Sequence, residues 1–179
     1  MPKTLFLVSA LVLAQMASRA QSPAAKKQAA PAPSQRAVAN LSQLMKGILY
    51  PSSNVIFAAQ SQNPAEVKPA HDPAMATDPL TSAYGQWQAV ENSALAMAEA
   101  ANLLTVSGRK CSNGLSVPLT HPDWPKLVQG LREASMTVYK AAQSKNQDNI
   151  VAAAGDLTTA CENCHEKYRE KPNLADRCK

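Results

Sequence analysis

From Trp87 to Leu104 the apolar side chains fall at Trp87, Val90, Ala94, Met97, Ala101 and Leu104, in alternating steps of three and four residues. That spacing returns to one face of a helix at every turn and matches the seam along which antiparallel helices pack. A helix with a single apolar stripe cannot bury it alone, so the stripe demands partners. The chain supplies three more. The first, from about Ala37, carries Val38, Leu41, Met45, Ile48 and Val55, with Pro51 expected to kink or interrupt it. The Trp87 segment should open after Asp78-Pro79 and end at Gly108. A third begins near Asp123, tolerates Pro125 in its first turn, and carries Trp124, Leu127, Leu131, Ala134, Val138 and Ala141. The fourth is capped by Asn146, faces inward with Ile150, Ala154, Leu157, Cys161, Cys164 and Tyr168, and stops at Pro172. No stretch alternates apolar and polar residues over strand length. The expected fold is therefore all-α, an antiparallel four-helix bundle.

The ends of the chain read differently. Lys3 gives a positive start, Leu5 to Met16 is a short apolar run, and Ser18-Arg19-Ala20 closes on small residues, the pattern of a cleaved signal peptide over residues 1–20. The run falls short of the roughly 20 apolar residues that span a bilayer. Residues 21–36, rich in Ala, Pro, Gln, Lys and Ser, lack apolar periodicity and read as a flexible leader. The bundle is assigned to residues 37–179. Without Lys3 and Arg19 the formal charge falls from +5 to +3, too mild a balance for a nucleic-acid partner. Lys167, Arg169, Lys171, Arg177 and Lys179 cluster near the C-terminus, where they either steer an acidic redox partner or complement the helix end.

Within the fourth segment stands Cys161-Glu162-Asn163-Cys164-His165. Thiols three positions apart on a helix share a face, and the next imidazole can turn back toward a ring held by both sulfurs. Covalent attachment of haem c needs this arrangement: two thioether bonds and a nitrogen on iron. A thioredoxin-like disulfide would want a strand-helix unit, which is not visible. Structural zinc would want four closed ligands, and Cys111, Cys178, His71 and His121 are not in paired spacing. The expected cofactor is one covalent haem c with its iron, bonded to Cys161 and Cys164, with His165 as axial ligand.

The run from Cys161 through His165 to Tyr168 and Arg169, in the last of four helices, resembles the cytochrome c-prime family of class II c-type cytochromes. The loop at residues 63–79, the insert at 111–120 and the tail to Lys179 depart from that pattern. The resemblance implies a haem between the helices and roles in electron transfer or in binding small gases such as nitric oxide. Low-spin members place a methionine followed by a lysine in the first helix, which Met45-Lys46 resembles.

Helix rise supports that choice of sixth ligand. Measured from the haem end of an up-down-up-down bundle, His165 stands at roughly 9 Å and Met45 at roughly 12 Å, against roughly 16 Å for Met97 and roughly 20 Å for Met136. Met45 is therefore assigned to the iron with His165, Met97 to the core, and His121 to a loop at the haem end. An apolar residue in place of the methionine, Leu44, Ile48 or Leu49, would leave the iron open to a gas. Arg169 either pairs with a haem propionate or ends the helix in solvent. Cys111 and Cys178 both fall at the haem end, and an oxidising compartment favours a disulfide between them. No nucleophile-base pair, phosphate loop or second haem motif argues for an enzyme. The function expected is a periplasmic monohaem c-type cytochrome in electron transfer with redox partner proteins; the alternative is a five-coordinate gas-binding haem protein. Homodimer formation is left open.

Overall fold

The structure, a computed structural model, describes residues 36–178; the expected signal peptide, and the leader up to residue 35, lie outside the described residues. The first helix starts at Leu41 because Asn40 and Gln43 satisfy each other's backbone: Asn40 Oδ1 accepts the Gln43 N–H at 2.8 Å, and Gln43 Oε1 accepts the Asn40 N–H at 2.9 Å. Val38, expected on the buried stripe, precedes this cap and is 99% exposed. Pro51 does not break the helix. The chain runs through α-helical Leu41–Leu44, a π-helical turn at Met45–Leu49 and α-helical Tyr50–Ser61. A proline lacks the N–H for the next bond and its ring crowds the carbonyl four residues back. One widened turn relieves this: the Tyr50 N–H bonds to the Met45 carbonyl, five residues back.

The second helix, Gln86–Leu103, starts later than expected. Asp78 does cap, accepting the Leu80 N–H at 3.0 Å, but only for the single 3-10 turn Pro79–Thr81. The chain then folds back so tightly at Gly85 that a Cβ there would lie 2.4 Å from the Leu80 carbonyl oxygen. Gly108 is not the helix cap; it lies five residues past Leu103, in a left-handed turn with φ of 77°. The stripe between these ends is as expected, with Trp87, Val90, Ala94, Met97, Ala101 and Leu104 all buried.

The third helix spans Trp124–Gln143 with Pro125 in its first turn. Its buried line is turned by about one residue from the expected stripe: Trp124, Val128, Leu131, Ser135, Val138 and Ala142 are buried, while Leu127, Ala134 and Ala141 flank them. Ser135 can occupy the centre because its hydroxyl donates to the Leu131 carbonyl at 2.7 Å. The fourth helix, Gln147–Tyr168, is capped by Asn146, which accepts the Asn149 N–H at 3.1 Å, and it ends four residues before Pro172.

Each helix packs against its neighbours in the order one–two–three–four–one, giving a four-helix bundle. Two ties close one end. Cys111 and Cys178 form a disulfide across 67 residues, with Cα atoms 4.9 Å apart. The buried Arg109 guanidinium donates from Nε to the Leu103 carbonyl at 3.0 Å and from Nη1 to the Ala39 carbonyl at 2.5 Å. It links the end of helix two to the start of helix one.

Candidate haem site

The starts of helices one and three and the ends of helices two and four surround a cavity of about 960 Å³, at the upper end of the size usual for small-molecule sites. This is the end at which an antiparallel bundle gathers those four termini. Helix one contributes Leu41, Met45, Leu49, Ser53 and Phe57, each four residues from the last. In an unbroken α-helix every four-residue step overshoots a full circle by about 40°, so such a column would wind off the cavity. The wider π turn holds it back. Pro51 thus has a consequence for the site: it keeps one long face of helix one aimed at the cavity.

Helix four lines the opposite wall with Cys161, Cys164, His165, Tyr168 and Arg169. Both motif cysteines are unbonded to other cysteines and half-buried. Burial, then each thiol's charged neighbours, pushes their pKa up, Cys164 to about 11 with Cys161 beside it and Cys161 with Glu162 beside it. The same burial, with Arg169 next in effect, lowers His165. The imidazole is therefore neutral near pH 7, the form in which its nitrogen can bind a metal.

Several expected residues meet here. Met45 lines the cavity from helix one, and Met97, only 1% exposed, lines it from helix two. Of the apolar candidates on helix one, Leu49 lines the cavity, whereas Leu44 and Ile48 are not among its walls. Arg169 stands at the rim, with its Nε–H donated to Glu170 Oε1 at 2.5 Å. His121 does not enter the cavity; it is exposed, and Nδ1 lies 3.1 Å from the Tyr168 hydroxyl. His71 is exposed in the loop between helices one and two. Cys111 and Cys178, bonded to each other, are not available to a zinc ion.

Three structural supports had no sequence signal. Trp124 donates Nε1–H to the Leu104 carbonyl at 3.2 Å and packs edge-on against Tyr168, ring centroids 5.0 Å apart. The Cys178 N–H donates to the Tyr168 carbonyl at 2.9 Å. The Asn113 amide donates to the Ala175 and Arg177 carbonyls at 3.2 and 2.8 Å, pinning the tail to the inserted loop. None of these contacts follows a local spacing rule.

The arrangement fits a haem. The walls are largely apolar, as a macrocycle needs, two thiols and an imidazole share one wall, and Lys46 and Arg169 place charge at the edge. No helix among the described residues is long and apolar enough to cross a membrane. No curated protein matches the chain, and neither does any solved structure. A family model described as Cytochrome C' matches residues 120–169, from the turn before helix three to the residue after helix four. That match supports what the motif helix resembles: residues 120–169 are similar to the cytochrome c-prime family, whose members hold a covalently attached haem c with iron.

Proposed function

We propose that this chain is an exported, periplasmic c-type cytochrome that passes electrons between redox partner proteins, and that it is not an enzyme. The observation that carries the reading is the placement of Cys161, Cys164 and His165 on one wall of an apolar cavity, with Met45 on the wall from helix one. When bound, the haem supplies one-electron chemistry at its iron. The chain's residues do the rest. Cys161 and Cys164 would hold the macrocycle by thioether bonds, and His165 would present a neutral nitrogen to the iron. Met45, held in line by the π turn, presents its sulfur from helix one. A soft sulfur together with an imidazole would suit a site that keeps one geometry through both oxidation states and raises the potential. Leu41 and Leu49, one turn to either side of Met45, exclude water from that wall.

Gas binding is the second reading, and the apolar wall of Leu41 and Leu49 around Met45 is what favours it. The test is the optical spectrum of the purified protein in both oxidation states, repeated with carbon monoxide on the reduced form. Sharp, split bands unmoved by the gas are expected. Broad bands that shift at once would transfer the role to gas binding, and a protein purified from a c-type maturation host without haem would overturn both readings.

A further inference from the structure

We propose that the Tyr168–His121 pair couples the oxidation state of the haem to a proton taken from solvent, with His121 as the proton site and Tyr168 as the positioning residue that joins it to the cavity. The inference rests on the reading of this chain as a haem electron carrier.

Tyr168 belongs to the cavity wall and is 5% exposed. Its ring is fixed edge-on to Trp124 at 67°, and Trp124 is itself buried and hydrogen-bonded. Its hydroxyl reaches away from the core to His121 Nδ1 at 3.1 Å. The His121 side chain is 47% exposed, so one end of the pair faces the cofactor and the other faces water.

The Asp123 backbone favours one resting tautomer. The Asp123 backbone N–H lies 3.5 Å from His121 Nδ1 and can only donate. Nδ1 is therefore the acceptor, the ring proton is on Nε2, and the Tyr168 hydroxyl also donates to Nδ1. When His121 takes up a proton, Nδ1 becomes a donor, and the phenol oxygen must accept or let go. Asp123 Oδ2, 3.7 Å away, then faces the imidazolium. Protonation thus adds a positive charge and reverses a phenol dipole at the cavity wall.

Of the other charges facing the pair, those of Asp123 and Arg169 are balanced, and that of Lys171 is a positive charge that stays constant over the range in which an imidazole titrates. Asp123, at the start of helix three, is ion-paired with Lys167 of helix four. Arg169 is paired with Glu170. Lys171 lies 5.9 Å over the Tyr168 ring, and in the tail Arg177 donates Nε–H to the Lys171 carbonyl. Of these groups, imidazole is the type that titrates between about pH 5 and 8.

A positive charge near the iron stabilises the state with one more electron. In reduction one electron arrives from the donor protein while the proton comes from water to His121 Nδ1. By linkage, the reduced protein holds that proton more tightly, and the potential falls as pH rises. A tenfold difference in proton affinity between the two oxidation states corresponds to 59 mV for a one-electron couple.

The test is potentiometry of the haem-loaded protein between about pH 5 and 8, on wild type, His121→Gln and Tyr168→Phe. A haem stain on a denaturing gel is run first. A falling potential in wild type, a flat one in His121→Gln, and a reduced slope in Tyr168→Phe, which keeps the ring but not the bond, are expected. A second readout is the His121 15N shift titrated in each oxidation state, where two different midpoints are expected. A wild-type slope that persists unchanged in His121→Gln, or one His121 midpoint in both states, would overturn the coupling and leave the electron-carrier reading intact. An unstained protein would instead overturn that reading and this inference with it.

Discussion

The Tyr50 N–H is bonded to the carbonyl of Met45, five residues back, and this single widened turn both accommodates Pro51 and sets the direction of the Met45 side chain. Replacing the proline restores a donor and removes the ring that crowds the Gly47 carbonyl. Pro51→Ala should therefore let the helix tighten into ordinary i to i−4 bonding. Stability should rise by about 1 kcal/mol, a fraction of the cost of an interior proline. The cavity column at Leu41, Met45, Leu49 and Ser53 would then wind off its wall. The expected outcome is a more stable protein whose reduced haem takes up carbon monoxide, where wild type does not. Denaturant melts and a carbon monoxide titration check the two parts separately.

Cys111 and Cys178 close a loop of 67 residues and tie the tail across the haem end. A crosslink of that span removes entropy from the unfolded chain, and a native disulfide typically contributes about 2–4 kcal/mol. Cys111→Ser with Cys178→Ser should lower stability by about that amount while leaving the haem attached. Alkylation of the native, non-reduced holoprotein should label no cysteine; labelling of both Cys111 and Cys178 would show the bond absent.

The fold was largely legible because the apolar stripes are long and regular. The Trp87-to-Leu104 seam could be placed residue by residue, and Asn146 and Pro125 marked their helix ends by local chemistry. The start of helix two was missed for a physical reason. Asp78-Pro79 is a sound capping signal, but the backbone fold at Gly85 that ends its turn depends on a close approach to Leu80 rather than on any spacing. The π turn escaped in the same way, since a proline in an apolar stripe signals a disturbance and not its geometry. Of the cavity, the motif pointed to Cys161, Cys164 and His165 and helix rise set Met45 level with His165, whereas Met97, assigned to the core, lines the cavity as well. The Tyr168–His121 contact spans 47 residues and depends on how a loop folds back, which no periodicity encodes.

Arg109 is buried and gives its protons to the carbonyls of Leu103 and Ala39, which are otherwise at the ends of helix two and before helix one. Burial lowers its pKa, yet the group is far from losing its proton near pH 7. Arg109→Ala would leave the Ala39 carbonyl without its partner, while the Leu103 carbonyl keeps the Val106 N–H at 3.4 Å. At about 1–3 kcal/mol for a buried group left unsatisfied, the variant should lose about 1–3 kcal/mol in a urea melt. Arg109→Lys should recover part of the loss, because an ammonium can reach one carbonyl but lacks the fork that serves both.

His165 supplies a pH dependence that exists only without haem. Burial, then Arg169, depresses its pKa below the ordinary 6.5, so the folded haem-free chain binds fewer protons there than the unfolded chain does. Stability therefore has its full value above the unfolded pKa and is lost as pH falls through 6.5 toward the lower folded value. The urea midpoint of haem-free protein should drop between about pH 7.5 and 5.5, spanning the imidazole range, and His165→Gln should show a smaller drop over the same interval. In the holoprotein a nitrogen bound to iron cannot take the proton, and this contribution should vanish. Equal pH slopes for haem-free wild type and His165→Gln would mean that the histidine's burial does not bear on stability.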